Sequence, residues 1–184
     1  MKFMLSVLAA GLLAAAPAQA AQWNVDYSHS KLGFTVVWAN EPFSASFKSW
    51  KAAIEFDPAD LAHARADVTI DIASEASDES DFDSGLQGAE GFAATQFPTA
   101  HFVATKFQHG AGNHYTANGT LTLKGITKPV ALAFTLAIEG KTVHMTGVAH
   151  VTRTDYGVGR GEWAAPTPVA HDVKVNIDLT ATRN

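Results

Sequence analysis

A two-residue beat of apolar side chains runs through most of the chain and restricts it to one fold class. Leu32, Phe34, Val36 and Trp38 alternate with Gly33, Thr35 and Val37, and the same beat recurs over residues 50–56 and 68–72. Successive side chains of a strand point to opposite faces, so this period specifies β-structure. The second half repeats it over residues 99–107, 114–123, 130–138, 142–151 and 173–181, with turn residues between, such as Gly110-Ala111-Gly112-Asn113 and Glu139-Gly140-Lys141. The pattern predicts roughly nine strands with mostly hairpin-length connections. Short connections join antiparallel neighbours, and evenly spaced strands of this kind build a sandwich or a closed barrel. Residues 77–90 depart from the beat. Asp78, Glu79, Asp81, Asp83 and Glu90 accompany Phe82, Leu86 and Ala89 there, a spacing that predicts a short amphipathic surface helix with acids in its first turn.

Composition narrows the function classes. The 184 residues contain no Cys, and 13 Lys and Arg stand against 18 Asp and Glu, a formal net charge of −5. No thiolate chemistry, Cys-ligated zinc or disulfide scaffold is available, and phosphate-backbone binding lacks the basic surface it needs, so no nucleic acid partner is expected. Lys2, the apolar run of residues 5–16 and Ala18-Gln19-Ala20 predict a cleaved signal peptide over 1–20, one domain over 21–184 and a periplasmic product. That run is too short to span a bilayer, and no Cys follows to carry a lipid anchor, so stable membrane insertion is not expected. Acidic residues are concentrated: residues 66–105 hold eight and no Lys or Arg. Solvated faces of opposite sign account for that more simply than a docking patch does.

The strand at residues 130–138 carries the functional argument. One face is Val130, Leu132, Phe134, Leu136 and Ile138, and the other is Ala131, Ala133, Thr135 and Ala137. A wet outer face should be polar, and this one is small instead. A barrel of about eight strands is just wide enough to fill with side chains or to hold one slender ligand, in a lumen roughly 25 Å long. A sandwich covered by the helix and loops fits the same pattern.

Several blocks carry a resemblance. They are Trp23-Asn24-Val25-Asp26-Tyr27-Ser28-His29-Ser30, Phe56-Asp57-Pro58, Phe97-Pro98-Thr99-Ala100-His101-Phe102, Asn118-Gly119-Thr120-Leu121-Thr122-Leu123-Lys124-Gly125-Ile126-Thr127-Lys128-Pro129-Val130, and Arg153-Thr154-Asp155-Tyr156-Gly157-Val158-Gly159. In this order they resemble the YceI-like family along the whole of residues 21–184. The resemblance implies an all-β, extended, lipocalin-like antiparallel barrel of an exported bacterial protein, with a long isoprenoid or other amphiphile in its pore. Members commonly carry an Arg-Asp pair entering the helix and two aromatic residues leaving it. This chain has Ser80-Asp81 and Gly91-Phe92 there.

The candidate lining is Phe34, Val36, Trp38, Phe92, Phe102, Leu132, Phe134 and Leu136, with Arg160 and Trp163 as a rim for a polar head. Each apolar member of the set also serves as ordinary core. His29 between two serines lacks the nucleophile elbow and oxyanion hole of acyl-transfer chemistry, and turn capping explains it. His144 and His150 share a strand face about 20 Å apart, too far for one metal ion. Gly157-Val158-Gly159-Arg160-Gly161 opens no helix that could meet a phosphate. The expected protein is therefore a non-catalytic carrier, without cofactor, for a long-chain isoprenoid or acyl ligand such as a polyisoprenoid, an isoprenoid quinone or a fatty-acid derivative. The alternative is an envelope interaction or stress protein that docks a membrane redox partner through its acidic helix. Exposed strand edges admit a homodimer without requiring one.

Overall fold

A computed structural model describes residues 21–183; the expected signal peptide at 1–20 lies outside the described residues. Eleven strands follow in chain order: β1 (Gln22–Val25), β2 (Lys31–Trp38), β3 (Glu41–Phe47), β4 (Trp50–Glu55), β5 (Arg65–Asp71), β6 (Glu75–Ala76), β7 (Thr99–His109), β8 (His114–Leu123), β9 (Ile126–Glu139), β10 (Thr142–Thr152) and β11 (Val169–Arg183). One helix, α1 (Ser80–Gln87), lies between β6 and β7.

The sheet closes on itself. Its order runs β1-β4-β5-β7-β8-β9-β10-β11, and β1 also pairs with β11, so eight antiparallel strands form a ring. Trp23 faces Arg183 and Val25 faces Ala181 at that closing seam. The other strands continue the ring upward. β2 follows β1 along β11, β3 precedes β4 and pairs with β2, and β6 follows β5 and pairs with β3. Here the ladder ends, because β6 has no strand beyond β3. In the upper half α1 stands between β6 and β7, and side chains rather than a backbone ladder complete the wall.

Period two places the core. On β9 Val130, Leu132 and Phe134 are buried while Ala131, Ala133 and Ala137 are exposed, so the large face points inward and the alanine face outward. Small inward residues come from other strands: Ala45, Ala100, Ala104, Ala117, Ala149 and Ala181 are all buried. β3 was absent from the sequence-based strands, because Pro42, Ser44 and Ser46 weaken its pattern, yet Phe43, Ala45 and Phe47 oppose Val36, Phe34 and Leu32. The helix is shorter than residues 77–90. Asp83 accepts from the Ser77 amide at 3.0 Å and from its hydroxyl, which turns the chain ahead of the helix. The Phe92 amide then bonds the Leu86 carbonyl, closing the last turn.

The lower end is sealed by aromatics. Trp23 Nε1 donates to the Phe56 carbonyl at 2.8 Å, and the Phe56 ring stands 5.6, 5.4 and 5.9 Å from Phe107, Tyr115 and Phe134. On β8, Gly119 passes so close to β7 that a Cβ there would collide with the Val103 carbonyl. Gly119→Ala is expected to destabilise the barrel by roughly 1–3 kcal/mol through forced backbone displacement. Thermal or urea unfolding measures it, and an unchanged midpoint would show that the β7–β8 spacing is not tight.

Candidate functional site

The inward side chains do not fill the ring. A cavity of about 200 Å³ runs under the helix end of the barrel, and its wall exposes only apolar atoms. A second space of about 70 Å³ lies toward the aromatic seal. Both touch Ile54, Ala66, Phe102, Leu132, Met145 and Leu179, which therefore form the waist between them. Left empty, an apolar void of the larger size would cost roughly 5 kcal/mol at about 24 cal/mol per Å³. That is a large part of a domain's usual stability of roughly 5–15 kcal/mol. Filling it with hydrocarbon recovers contacts that the lining otherwise lacks.

The residues singled out from sequence separate into three groups. Phe34, Val36 and Phe92 line the larger cavity, Phe102 and Leu132 line both spaces, and Phe134 and Leu136 line the smaller one. Trp38 stands at the rim instead, its ring 4.9 Å from Phe82 and 6.2 Å from Phe43. Phe82 reaches the cavity from α1, as Leu86 does. Arg160 and Trp163 are exposed on the loop after β10 and do not touch either space. Sequence reasoning missed Ala52, Ala66, Ala100 and Ala149, whose short side chains leave the space open. An inward alanine looks like an outward one in the sequence, so no local signal marked them.

The roof consists of residues 88–97 and 153–168, stitched by two cations. Lys124 Nζ donates to the carbonyls of Ala89, Gly91 and Gly157 at 2.8, 2.7 and 3.0 Å. Burial, and secondarily Arg160, holds its pKa below the usual lysine value. Buried Arg153 donates to the carbonyls of Ala170, Val158, Gly159, Ala165 and Val169. Roof loops have no ladder partners, and these side chains satisfy carbonyls that would otherwise be orphaned. Gly159 adds a backbone bond of 2.7 Å to the Glu90 carbonyl.

Glu75, with 5% of its surface exposed, is buried beside the site and is not among the residues that line either space. Directly opposite Phe47 across β3–β6, it shares the face of a cavity-lining residue. Its Oε2 accepts from Gln87 Nε2 at 3.1 Å. Desolvation, with a smaller contribution from the Asp83 charge, pushes its pKa up to about 7 despite that bond.

The Ser28–His29 pair has no catalytic geometry. Ser28 Oγ donates to Asp26 Oδ1 at 2.6 Å, and both Ser28 Oγ and Asp26 Oδ2 meet the same ring nitrogen, His29 Nδ1. A relay needs the serine and the acid on opposite ring nitrogens. The cluster is a turn cap, and the hydrogen bond from Ser28, followed by that from His29, lowers the Asp26 pKa to about 2. Among the described residues no group of three His, Asp or Glu could hold a metal ion, and no helix is long and apolar enough to cross a membrane.

Known proteins share this architecture. The model of a family described as the YceI-like domain matches residues 23–181. A UPF0312 protein of Photorhabdus laumondii is 34% identical over 133 residues, 71% of this chain and 69% of its own length. The crystal structure of BcnA from Burkholderia cenocepacia superimposes with a TM-score of 0.83 at 34% identity, covering 86% of this chain and 100% of that one. A polyisoprenoid binding domain from Saccharophagus degradans, at 13% identity, shares the fold with a TM-score of 0.67 over 90% of this chain and 99% of its own.

The raised Glu75 pKa sets a pH dependence of stability. The folded state holds this proton more tightly than the unfolded chain, so stability falls as pH rises from the ordinary glutamate range to about 7 and then levels off. Glu75→Gln is expected to flatten that descent and to melt above the parent at pH 8. Melting curves from pH 4 to 8 that decline equally in both proteins would contradict it.

Proposed function

The chain belongs to the YceI-like domain family, and from that premise we propose that it binds a long apolar ligand in the barrel lumen and carries it through the periplasm. The observation that carries this reading is the apolar-walled cavity of about 200 Å³ that inward alanines leave between large inward side chains. The ligand class is a polyisoprenoid, an isoprenoid quinone or a fatty-acid derivative. A polyisoprenoid binding domain with the same fold supports it. Each buried CH₂ adds about 0.8 kcal/mol, so affinity comes from tail length, and an apolar wall discriminates weakly among tails. Phe34, Val36, Phe92, Phe102 and Leu132 are the proposed tail contacts, with Phe134 and Leu136 meeting a tail that passes the waist. Trp38 acts from the rim, and Arg160 and Trp163 contribute only if the roof loop moves. Binding without turnover is the proposed activity. Export rests on the sequence of residues 1–20.

Ala149 lines the cavity from β10 with Leu132 as its cross-strand neighbour. Ala149→Phe is expected to fill the larger cavity, to raise the melting temperature of delipidated protein, and to weaken binding of a fluorescent long-chain probe at least tenfold. A folded variant that binds the probe as the parent does would remove the lumen as the site.

A further inference from the structure

The two spaces of the lumen meet at one ring of side chains. Six strands contribute a residue each to it: Ile54 from β4, Ala66 from β5, Phe102 from β7, Leu132 from β9, Met145 from β10 and Leu179 from β11. Ile54 stands directly opposite Ala66, and Met145 directly opposite Leu179. Away from the ring the inward positions divide cleanly. On β10 Val143 lines only the smaller space and Ala149 only the larger, and on β11 Ala181 and Ile177 divide in the same way. A tail held in the larger space must pass this ring to reach Phe134 and Leu136.

Five of the six side chains have little freedom to yield. Ile54, Leu132 and Leu179 are branched, Phe102 is a rigid plane, and Ala66 has nothing to move. Met145 is unbranched, with three rotatable bonds and a polarisable thioether, so it repacks at small cost. Its own strand gives it a seat. Gly147, the next inward position of β10, is buried and has no side chain. A Cβ there would stand 3.3 Å from Met145 Sδ, 3.1 Å from Leu132 Cδ1 and 3.2 Å from Phe134 Cβ. The thioether sulfur therefore rests in the notch that Gly147 leaves beside the ring.

We propose that Met145, seated against Gly147, is the gate of this waist and sets the tail length that the lumen accepts. The proposal rests on the lumen being the tail site. An apolar wall chooses weakly among tails by chemistry, but a constriction chooses by length. A short tail stays in the larger space, and a longer one gains the smaller space only by displacing the thioether. Each methylene that leaves water for the apolar wall adds about fourfold to affinity. Affinity therefore climbs with tail length in two ramps, with a flat step between them where the tail end meets the ring.

Calorimetric titration of delipidated protein with the even-numbered saturated fatty acids from octanoic to octadecanoic acid, each below its aggregation limit, tests this. The head is constant, so only tail length varies. The parent is expected to show the two ramps. Met145→Phe places a rigid ring in the waist and is expected to abolish the second ramp, weakening octadecanoic acid at least about tenfold while leaving acids shorter than the step within about threefold. Met145→Ala is expected to remove the step, so that affinity climbs without a break. A single unbroken ramp in the parent, a step that survives Met145→Ala, or a loss in Met145→Phe that is equal across the series would overturn the gate while leaving tail binding intact. Should no member of the series bind, tail binding itself fails and the gate with it. If Met145→Phe does not fold, Gly147→Ala replaces it: the added methyl displaces the thioether from its notch, and the same selective loss of the longest tails is expected.

Discussion

Everything in this structure depends on the antiparallel seam between β1 and β11. Without that pairing the chain would present a sheet with two free edges and one exposed apolar face. With it, the inward residues of eight strands share one interior, and the number of strands fixes its width. Eight strands give an interior that side chains can just fill. Whether it fills is then decided by side-chain size alone. Large inward residues on β9 and aromatics at the lower end close part of it, and alanines on β4, β5, β7 and β10 leave the rest open. The cavity is a consequence of ring geometry plus a few missing methylenes.

The upper half is built on a different principle. There the ladder stops at β6, and α1 with two loops completes the enclosure. Such a wall has no continuous backbone bonding, so Lys124, Arg153 and Glu75 with Gln87 hold it through side-chain bonds. The two cations serve backbone carbonyls and are saturated. Glu75 and Gln87 are not, and they lie where the helix meets the sheet. Polar side chains sit at the one place where the barrel is not a barrel, which concentrates pH sensitivity at that end.

Much of this was legible in the sequence, for a definite reason. The alternation of Leu32, Phe34 and Val36 with Gly33 and Thr35 states which residues face a core, and Gly112 and Gly140, in the 110–113 and 139–141 turns, sit at positive φ as hairpin turns require. The family resemblance, not the period, separated barrel from sandwich. The orientation of β9 was illegible because both of its faces are apolar, and only its neighbours decide that Leu132 and Phe134 turn inward. The opening alanines were illegible because size matters only once closure is known. Glu75 was illegible because it stands in an acidic stretch that reads as a solvated face, and its burial comes from pairing with Phe47, 28 positions earlier in the chain. Arg160 and Trp163 were chosen by chemistry without placement, and they sit outside the lumen.

On the proposed function, a long apolar molecule occupies the lumen in the protein's native setting. Native mass spectrometry of protein purified from its own host without detergent, before and after extraction with organic solvent, tests this most directly. The expected result is a stoichiometric mass excess that disappears on extraction and reappears in the extract as one long-chain species, with the extracted protein melting at a lower temperature. Protein of the bare chain mass, with an unchanged melting temperature after extraction, would contradict it.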